Sequence, residues 1–265
     1  FYNRLVDGLL AAGIQPLVTL YHWDLPVALP DGWLNRSTAE AFASFTDIAT
    51  RSLGDRVKQW ITINEPFCAS FLSYHRGIHA PGLQDTASAL LVAHHLLLAH
   101  GLAVPIIHAN VADSQVGITL NQGPAYPATR SWRDLETARH ADGELVRWFI
   151  DPLYSRGYPL DMLQDYVKAG ALKSVEPDFI QDGDMEKIAV PTDFLGLNYY
   201  SRSVHDSASD DQPQHPHLRP PEDENHTDMG WEIFPYGLYE TLCRDYFTYK
   251  PPRIIITENG ASYRD

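Results

Sequence analysis

Only two cysteines, Cys68 and Cys243, occur in 265 residues, far apart and outside any metal-ligand spacing. That rules out a disulfide framework and a cysteine-built metal centre. The pair reads as free, buried thiols, which favours a reducing, cytoplasmic setting. Basic residues are scarce as well: 20 Lys and Arg face 34 Asp and Glu, a formal net charge of −14. Such a chain is a poor partner for nucleic acid or an anionic membrane. No apolar run reads as long enough to span a membrane, and no secretory leader is recognisable. Internal repeats and dividing linkers are missing too, so residues 1–265 read as one domain. No glycine-rich phosphate loop follows the first strand, which lowers the case for a nucleotide-binding fold.

What is present is apolar and aromatic. Hydrophobic residues make up 44% of the chain, enough for one large core. The 6 Trp and 14 Tyr serve equally well as core residues or as surfaces on which sugars stack.

Two stretches share one pattern. Residues 57–63 read as a short buried strand closing on Asn64 and Glu65, with Pro66 behind them. Residues 253–257 read as another, closing on Glu258 and Asn259. Two carboxylates delivered by two strand ends point to paired acid chemistry, with glycoside hydrolysis its leading case.

The remaining chain alternates in the same way. Residues 1–12 have helical period, with Leu5, Val6, Leu9 and Leu10 on one face and Gly13 as a stop. Residues 14–20 read as a strand buried on both faces, running into Tyr21, His22, Trp23 and Asp24. Residues 37–40 fit a capping box opening a helix with Phe42, Phe45, Ile48 and Ala49, which ends near Gly54. Thr86 is the expected cap of a long helix that Pro105 should end or kink. That helix carries His94, His95 and His100, whose spacing suits core or surface histidines better than a metal site. Strands at 116–121 and 193–200 follow, closing on Asn121 and on Asn198, Tyr199 and Tyr200. Helices are expected at 133–149 and 237–249, and residues 201–230 read as a long polar loop. Five strands alternating with helices, each with polar groups at its end, fit a (β/α)8 barrel or an open parallel sheet.

At this point the chain resembles a known family, the family 1 glycoside hydrolases or β-glucosidase family. Phe1-Tyr2-Asn3-Arg4-Leu5, Tyr21-His22-Trp23-Asp24-Leu25-Pro26, Thr62-Ile63-Asn64-Glu65-Pro66, Asn198-Tyr199-Tyr200 and Ile256-Thr257-Glu258-Asn259-Gly260 resemble its signatures, in its order. Gly54-Asp55-Arg56-Val57 and Asp228-Met229-Gly230-Trp231-Glu232 add support. The resemblance covers nearly the whole chain. It implies a (β/α)8 TIM barrel, of which this chain supplies about five βα units, and retaining hydrolysis of β-D-glycosides without metal or cofactor. By motif position Glu65 is implied as general acid/base and Glu258 as nucleophile. Asn64 is implied to hold the sugar 2-hydroxyl, His22 other sugar hydroxyls, and Tyr200 to donate to the nucleophile. Asn198 would line the same pocket, with Trp231 and Phe67 flanking the leaving-group side. Phe67 stands where the family often carries Trp, which bears on the aglycone.

The resemblance also implies that two strands before Phe1 and one after Asp265 belong to the whole barrel. Family members carry a Gln, an Arg, a Trp and a Glu of the sugar site in those parts. The chain alone is therefore expected to turn over poorly unless other chains or segments complete it. The expected substrate is a β-glucoside or a short β-linked oligosaccharide. A non-catalytic sugar-binding or structural fragment, and a 6-phospho-β-glycosidase, are the alternatives.

Overall fold

The computed structural model of the chain describes residues 1–209 and 225–264. Five strands, β1 (Leu17–Tyr21), β2 (Gln59–Asn64), β3 (Gln115–Asn121), β5 (Phe194–Asn198) and β7 (Ile254–Glu258), form one parallel sheet in the order β1-β2-β3-β5-β7. Two short strands, β4 (Ala125–Pro127) and β6 (Ser203–His205), pair beside it. The helices between are α1 (Tyr2–Ala11), α2 (Ser37–Leu53), α3 (Thr86–Asn110), α4 (Trp132–Asp142), α5 (Trp148–Leu153), α6 (Leu160–Lys168), α7 (Asp184–Ile188) and α8 (Pro235–Arg244). Short π-helical segments occupy Cys68–His75, Gly143–Arg147 and Asp245–Tyr249. This is part of a β/α barrel wall, with the C-terminal strand ends on one rim.

The five main strands fall within a few residues of their expected places. Strand β6 lies in the stretch read as loop at 201–230; the part at 210–224 lies outside the described residues. The helix expected at 133–149 is α4, a π turn and α5 in succession, and that at 237–249 is α8 and its π turn.

Strand β1 departs from the expectation of burial on both faces: only Tyr21 is buried, because β1 is an outer strand of the sheet. Strand β7, at the other edge, leaves Ile256 45% exposed. The central strands β2, β3 and β5 carry the burial. In β5, Gly196 lies so close to β3 that an added Cβ would sit 2.2 Å from Thr119 Oγ1. Helix α1 buries only Val6, while Leu5 and Leu10 face outward. Helix α2 buries Phe42, Thr46 and Thr50 rather than Phe45 and Ile48. Its threonine hydroxyls bond back to carbonyls one turn earlier, which allows them to be buried.

Both expected caps move. Ser37 is the first residue of α2, and Asn35 Oδ1 accepts from its amide at 3.0 Å and its hydroxyl at 2.8 Å. Asp85 caps α3 by accepting from Ser88 N at 2.8 Å, whereas Thr86 Oγ1 reaches His75 Nδ1. Pro105 does not end α3; the helix continues to Asn110 because Ala103, Val104 and Ile107 are locked into the core around it. Gly101 fits that helix against α7, where a Cβ would lie 2.2 Å from Lys187 O. Helix α3 is also, contrary to expectation, long and apolar enough by composition to cross a membrane. Its most apolar stretch is 78% buried within this fold, as a core helix requires.

The three histidines of α3 are core groups. His94 bridges Tyr158 OH and Asp184 Oδ2, both at 3.0 Å, and Arg36 pairs with the same Asp184. His95 reaches Trp33 O, and His100 reaches Thr62 Oγ1 at 2.7 Å. Burial pushes His94 down to about 4 and His100 down to about 3, so both are neutral in the fold. Burial would raise Asp184, but Arg36, the Gln181 amide and His94 outweigh it and hold the carboxyl well below its usual range. Asp245 goes the other way. It is buried, its Oδ1 makes no hydrogen bond and has only the Arg244 guanidinium 3.8 Å away, and burial pushes it up to about 6 despite Arg244 and Gln122.

These groups give opposite pH dependences. The histidines contribute stability in full above pH 6.5, and it is lost as pH falls through their depressed folded values. Asp245 contributes stability below its unfolded value near 3.8, lost as pH rises through about 6. At about 1.4 kcal/mol per pH unit of displacement, the two histidines together outweigh Asp245, so the balance of these three groups weakens the fold from pH 7 to pH 4. Asp245→Asn is expected to be more stable than the parent by about 1–3 kcal/mol at pH 7, with the gain gone at pH 4. Urea unfolding at the two pH values checks this; an equal effect at both contradicts it.

Candidate active site

The polar groups at the rim form one connected network. Glu65 follows β2 in a left-handed conformation, φ +47°, uncommon for a residue with a side chain and held here by its surroundings. Its amide donates to Thr119 O at 2.9 Å, and its carbonyl accepts from Cys68 N at 2.9 Å. The π turn beginning at Cys68 follows at once. Together these turn the Glu65 side chain back over the strand ends.

All five main strands contribute to what surrounds it. Asn198, ending β5, donates to Glu65 Oε1 at 2.6 Å and to Asn64 Oδ1 at 3.1 Å. Thr257 of β7 donates to Asn198 Oδ1 at 2.6 Å, which fixes that amide's orientation. Asn64 donates to His22 Nε2, just past β1, at 3.2 Å. Cys68 donates to Glu65 Oε2 at 3.1 Å and accepts from Asn121, ending β3, at 3.8 Å. Glu258, ending β7, stands beside Asn198 in the register and accepts a short hydrogen bond from Tyr200 OH.

The two carboxylates sit in different surroundings. Glu65 is 5% exposed. Burial pushes its carboxyl up; the Asn198 and Cys68 donors pull it down, the Glu258 charge adds to the rise, and His22 opposes it. Glu258 is partly exposed and is held by a phenol. Burial and the bond to Glu258 raise Tyr200, so it stays a donor. One carboxyl is thus buried and displaced toward its acid form, while the other is less buried and accepts from a phenol.

The other expected site residues take distinct places. Trp231 is half-buried with its ring 5.1 Å from that of Tyr200, at the Glu258 side. His22 is exposed, and Trp23 beside it donates from Nε1 to Asn64 O at 3.0 Å. Phe67 is not an open platform: it is 6% exposed, stacked on Phe71 at 5.4 Å, and covered by the Arg76 guanidinium. It therefore supports the site from the core side. Sequence reasoning missed Cys68, Thr257 and Trp23 as members of the network. Cys68 had one available signal, its position three residues after Glu65 in a helical segment, which puts it on the same side of the chain. No group of His, Cys, Asp or Glu suited to hold a metal occurs among the described residues.

Parallel βα units with acid, amide and phenol groups on the C-terminal rim define part of a β/α-barrel protein with its polar site in the usual catalytic position. The chain belongs to glycosyl hydrolase family 1, whose sequence profile matches residues 1–265. It is 41% identical over 271 residues to beta-glucosidase A of Acetivibrio thermocellus, covering 100% of this chain and 59% of that protein. A crystal structure of a beta-glucosidase from Exiguobacterium marinum superposes with a TM-score of 0.90 at 40% identity, covering 100% of this chain and 60% of that one. The beta-glucosidase from Thermotoga maritima in complex with deoxynojirimycin gives 0.86 at 37% identity, covering 100% and 58%. The chain thus spans about three-fifths of the length of the relatives it matches.

Proposed function

We propose that residues 1–265 are a partial catalytic domain for retaining hydrolysis of β-D-glucosides or short β-linked oligosaccharides. The observation that carries this reading is the unequal pair: Glu65 buried with its carboxyl pushed up by that burial, Glu258 less buried and held by the Tyr200 phenol. In the first step Glu258 attacks the anomeric carbon while Glu65 gives its proton to the departing glycosidic oxygen. In the second, Glu65 takes a proton from water, whose oxygen attacks the anomeric carbon and releases Glu258. Asn64 supports the reading further. Its Nδ2 carries two hydrogens, of which His22 takes one, leaving the other for a sugar hydroxyl. Relatives solved with deoxynojirimycin and glucoimidazole support a glucose-sized sugar.

The two flanks of the sheet bear on turnover. Phe1, Tyr2, Leu5, Phe45 and Ile48 are exposed on α1 and α2 near β1, and Ile256 is exposed on β7. Each outer strand has one side unpaired among the described residues. We propose that further β/α segments cover these flanks and supply the rest of the sugar site. Adding the corresponding flanking segments of a family member in trans is expected to raise hydrolysis of p-nitrophenyl β-glucoside at least tenfold. The first product anomer, followed by proton NMR, is expected to be β. An α anomer first would overturn retention, and no gain on complementation would overturn the covering role. The 6-phosphorylated aryl glucoside, run beside the plain one, decides the sugar.

A further inference from the structure

We propose that Cys68 is a positioning residue that sets the proton balance of Glu65, through a directed relay from Asn121 to the thiol and from the thiol to the carboxylate. The inference rests on the acid/base reading of Glu65. The geometry fixes the direction of each bond. The Asn121 Nδ2 group, which faces the sulfur, can only donate, so the sulfur accepts there, at 3.8 Å. Its single hydrogen is then free to point at Glu65 Oε2, 3.1 Å away. Cys68 is 6% exposed, and burial together with the Glu65 charge pushes its thiol far up, so it stays protonated and remains a donor.

The consequence for the reaction follows from which form of Glu65 is favoured. Glu65 must be an acid in the first step and a base in the second. Burial alone favours the acid and would leave a poor base. Asn198 on Oε1 and Cys68 on Oε2 each stabilise the ionised form, one donor per oxygen. A thiol is a weak donor, so it eases deprotonation without fixing the carboxylate in its charged state. The π turn that starts at Cys68 is what places the sulfur within reach.

Infrared spectroscopy reads the link directly, without turnover. The S–H stretching band of Cys68, assigned by difference against Cys68→Ser, is expected to fall in frequency as Glu65 ionises. In Glu65→Gln it should no longer respond to pH. A band at the free-thiol position, indifferent to pH and to Glu65→Gln, overturns the proposal. Kinetics supply the second arm, on the chain complemented in trans where turnover requires it. In Cys68→Ala the alkaline limb of kcat/KM is expected to move up by about half a pH unit, because the acid form of Glu65 persists longer. Cys68→Ser, which keeps a donor, should return the limb to or below its parent position. Loss of rate at every pH with no movement of the limb would mean that Cys68 merely packs, and would overturn the proposal. Failure of the acid/base reading itself would look different: hydrolysis would be insensitive to Glu65→Gln.

Discussion

Glu258→Gln is expected to lower hydrolysis of p-nitrophenyl β-glucoside by on the order of 10⁴-fold or more, with the fold intact. The amide is isosteric and still accepts from Tyr200, so the rim network survives. What disappears is the negative oxygen that, in the proposed mechanism, attacks the anomeric carbon. The loss should be the same for good and poor leaving groups, because no substrate compensates for a missing nucleophile. Glu258→Ala leaves a space that a small anion can fill. Azide is expected to restore release of an activated aryl group and to yield the α-glycosyl azide, since a single displacement inverts the centre. Undiminished hydrolysis in Glu258→Gln, or a β-azide from Glu258→Ala, would remove Glu258 from this role.

Glu65→Gln is expected to cost about 10²–10⁴-fold, the usual range for a positioned acid/base. Here the leaving group matters. A 2,4-dinitrophenolate departs without a proton, so its release in the first step should be nearly unaffected. Hydrolysis of the glycosyl enzyme then becomes limiting, and kcat and KM should fall together. An alkyl or sugar leaving group, which needs the proton, should suffer the full loss. The alkaline limb of the pH profile should vanish in the variant, because the carboxyl that burial raises is the group titrating there. A loss equal for all leaving groups, with the limb unchanged, would mean that Glu65 only holds Asn198 and Cys68 in place.

The sequence made the strands legible because each central strand is a short apolar run closed by an amide or acid. Residues 57–63 and β2 differ by a residue or two at each end. The helix starts were less legible. Ser37 and Thr86 have the composition of caps, but Asn35 and Asp85 do the capping. Cap choice depends on the path by which the chain enters the helix, which composition does not encode. Pro105 failed as a stop because the packing of Ala103, Val104 and Ile107 in the core outweighs one missing hydrogen bond. The edges were misread for a related reason. An apolar run predicts burial, but β1 and β7 each lack a neighbour on one side among the described residues.

At the site, the acids and amides were legible as strand endings, and their connections were not. Asn198 reads from sequence as a pocket-lining amide, yet it ties Asn64 to Glu65 and is itself held by Thr257. That link exists because β5 lies two places from β2 in the sheet, a fact of topology. Cys68 reads as a free, buried thiol; the left-handed turn at Glu65 and the π-helical segment after it bring it to the carboxylate. The family resemblance implies Phe67 as a wall on the leaving-group side, but its ring lies in the core against Phe71.

The most direct test of the two-glutamate site is covalent trapping. The chain, alone and with the flanking segments supplied, is incubated with 2,4-dinitrophenyl 2-deoxy-2-fluoro-β-D-glucoside, and its intact mass and peptides are measured. Trapping needs only one turnover, so slow catalysis does not obscure it. The expected result is one fluorodeoxyglucosyl group per chain, carried by Glu258 and absent in Glu258→Gln. A label on any other residue, or no label on a folded and complemented chain, would contradict the assignment of Glu258 as nucleophile and with it the proposed mechanism.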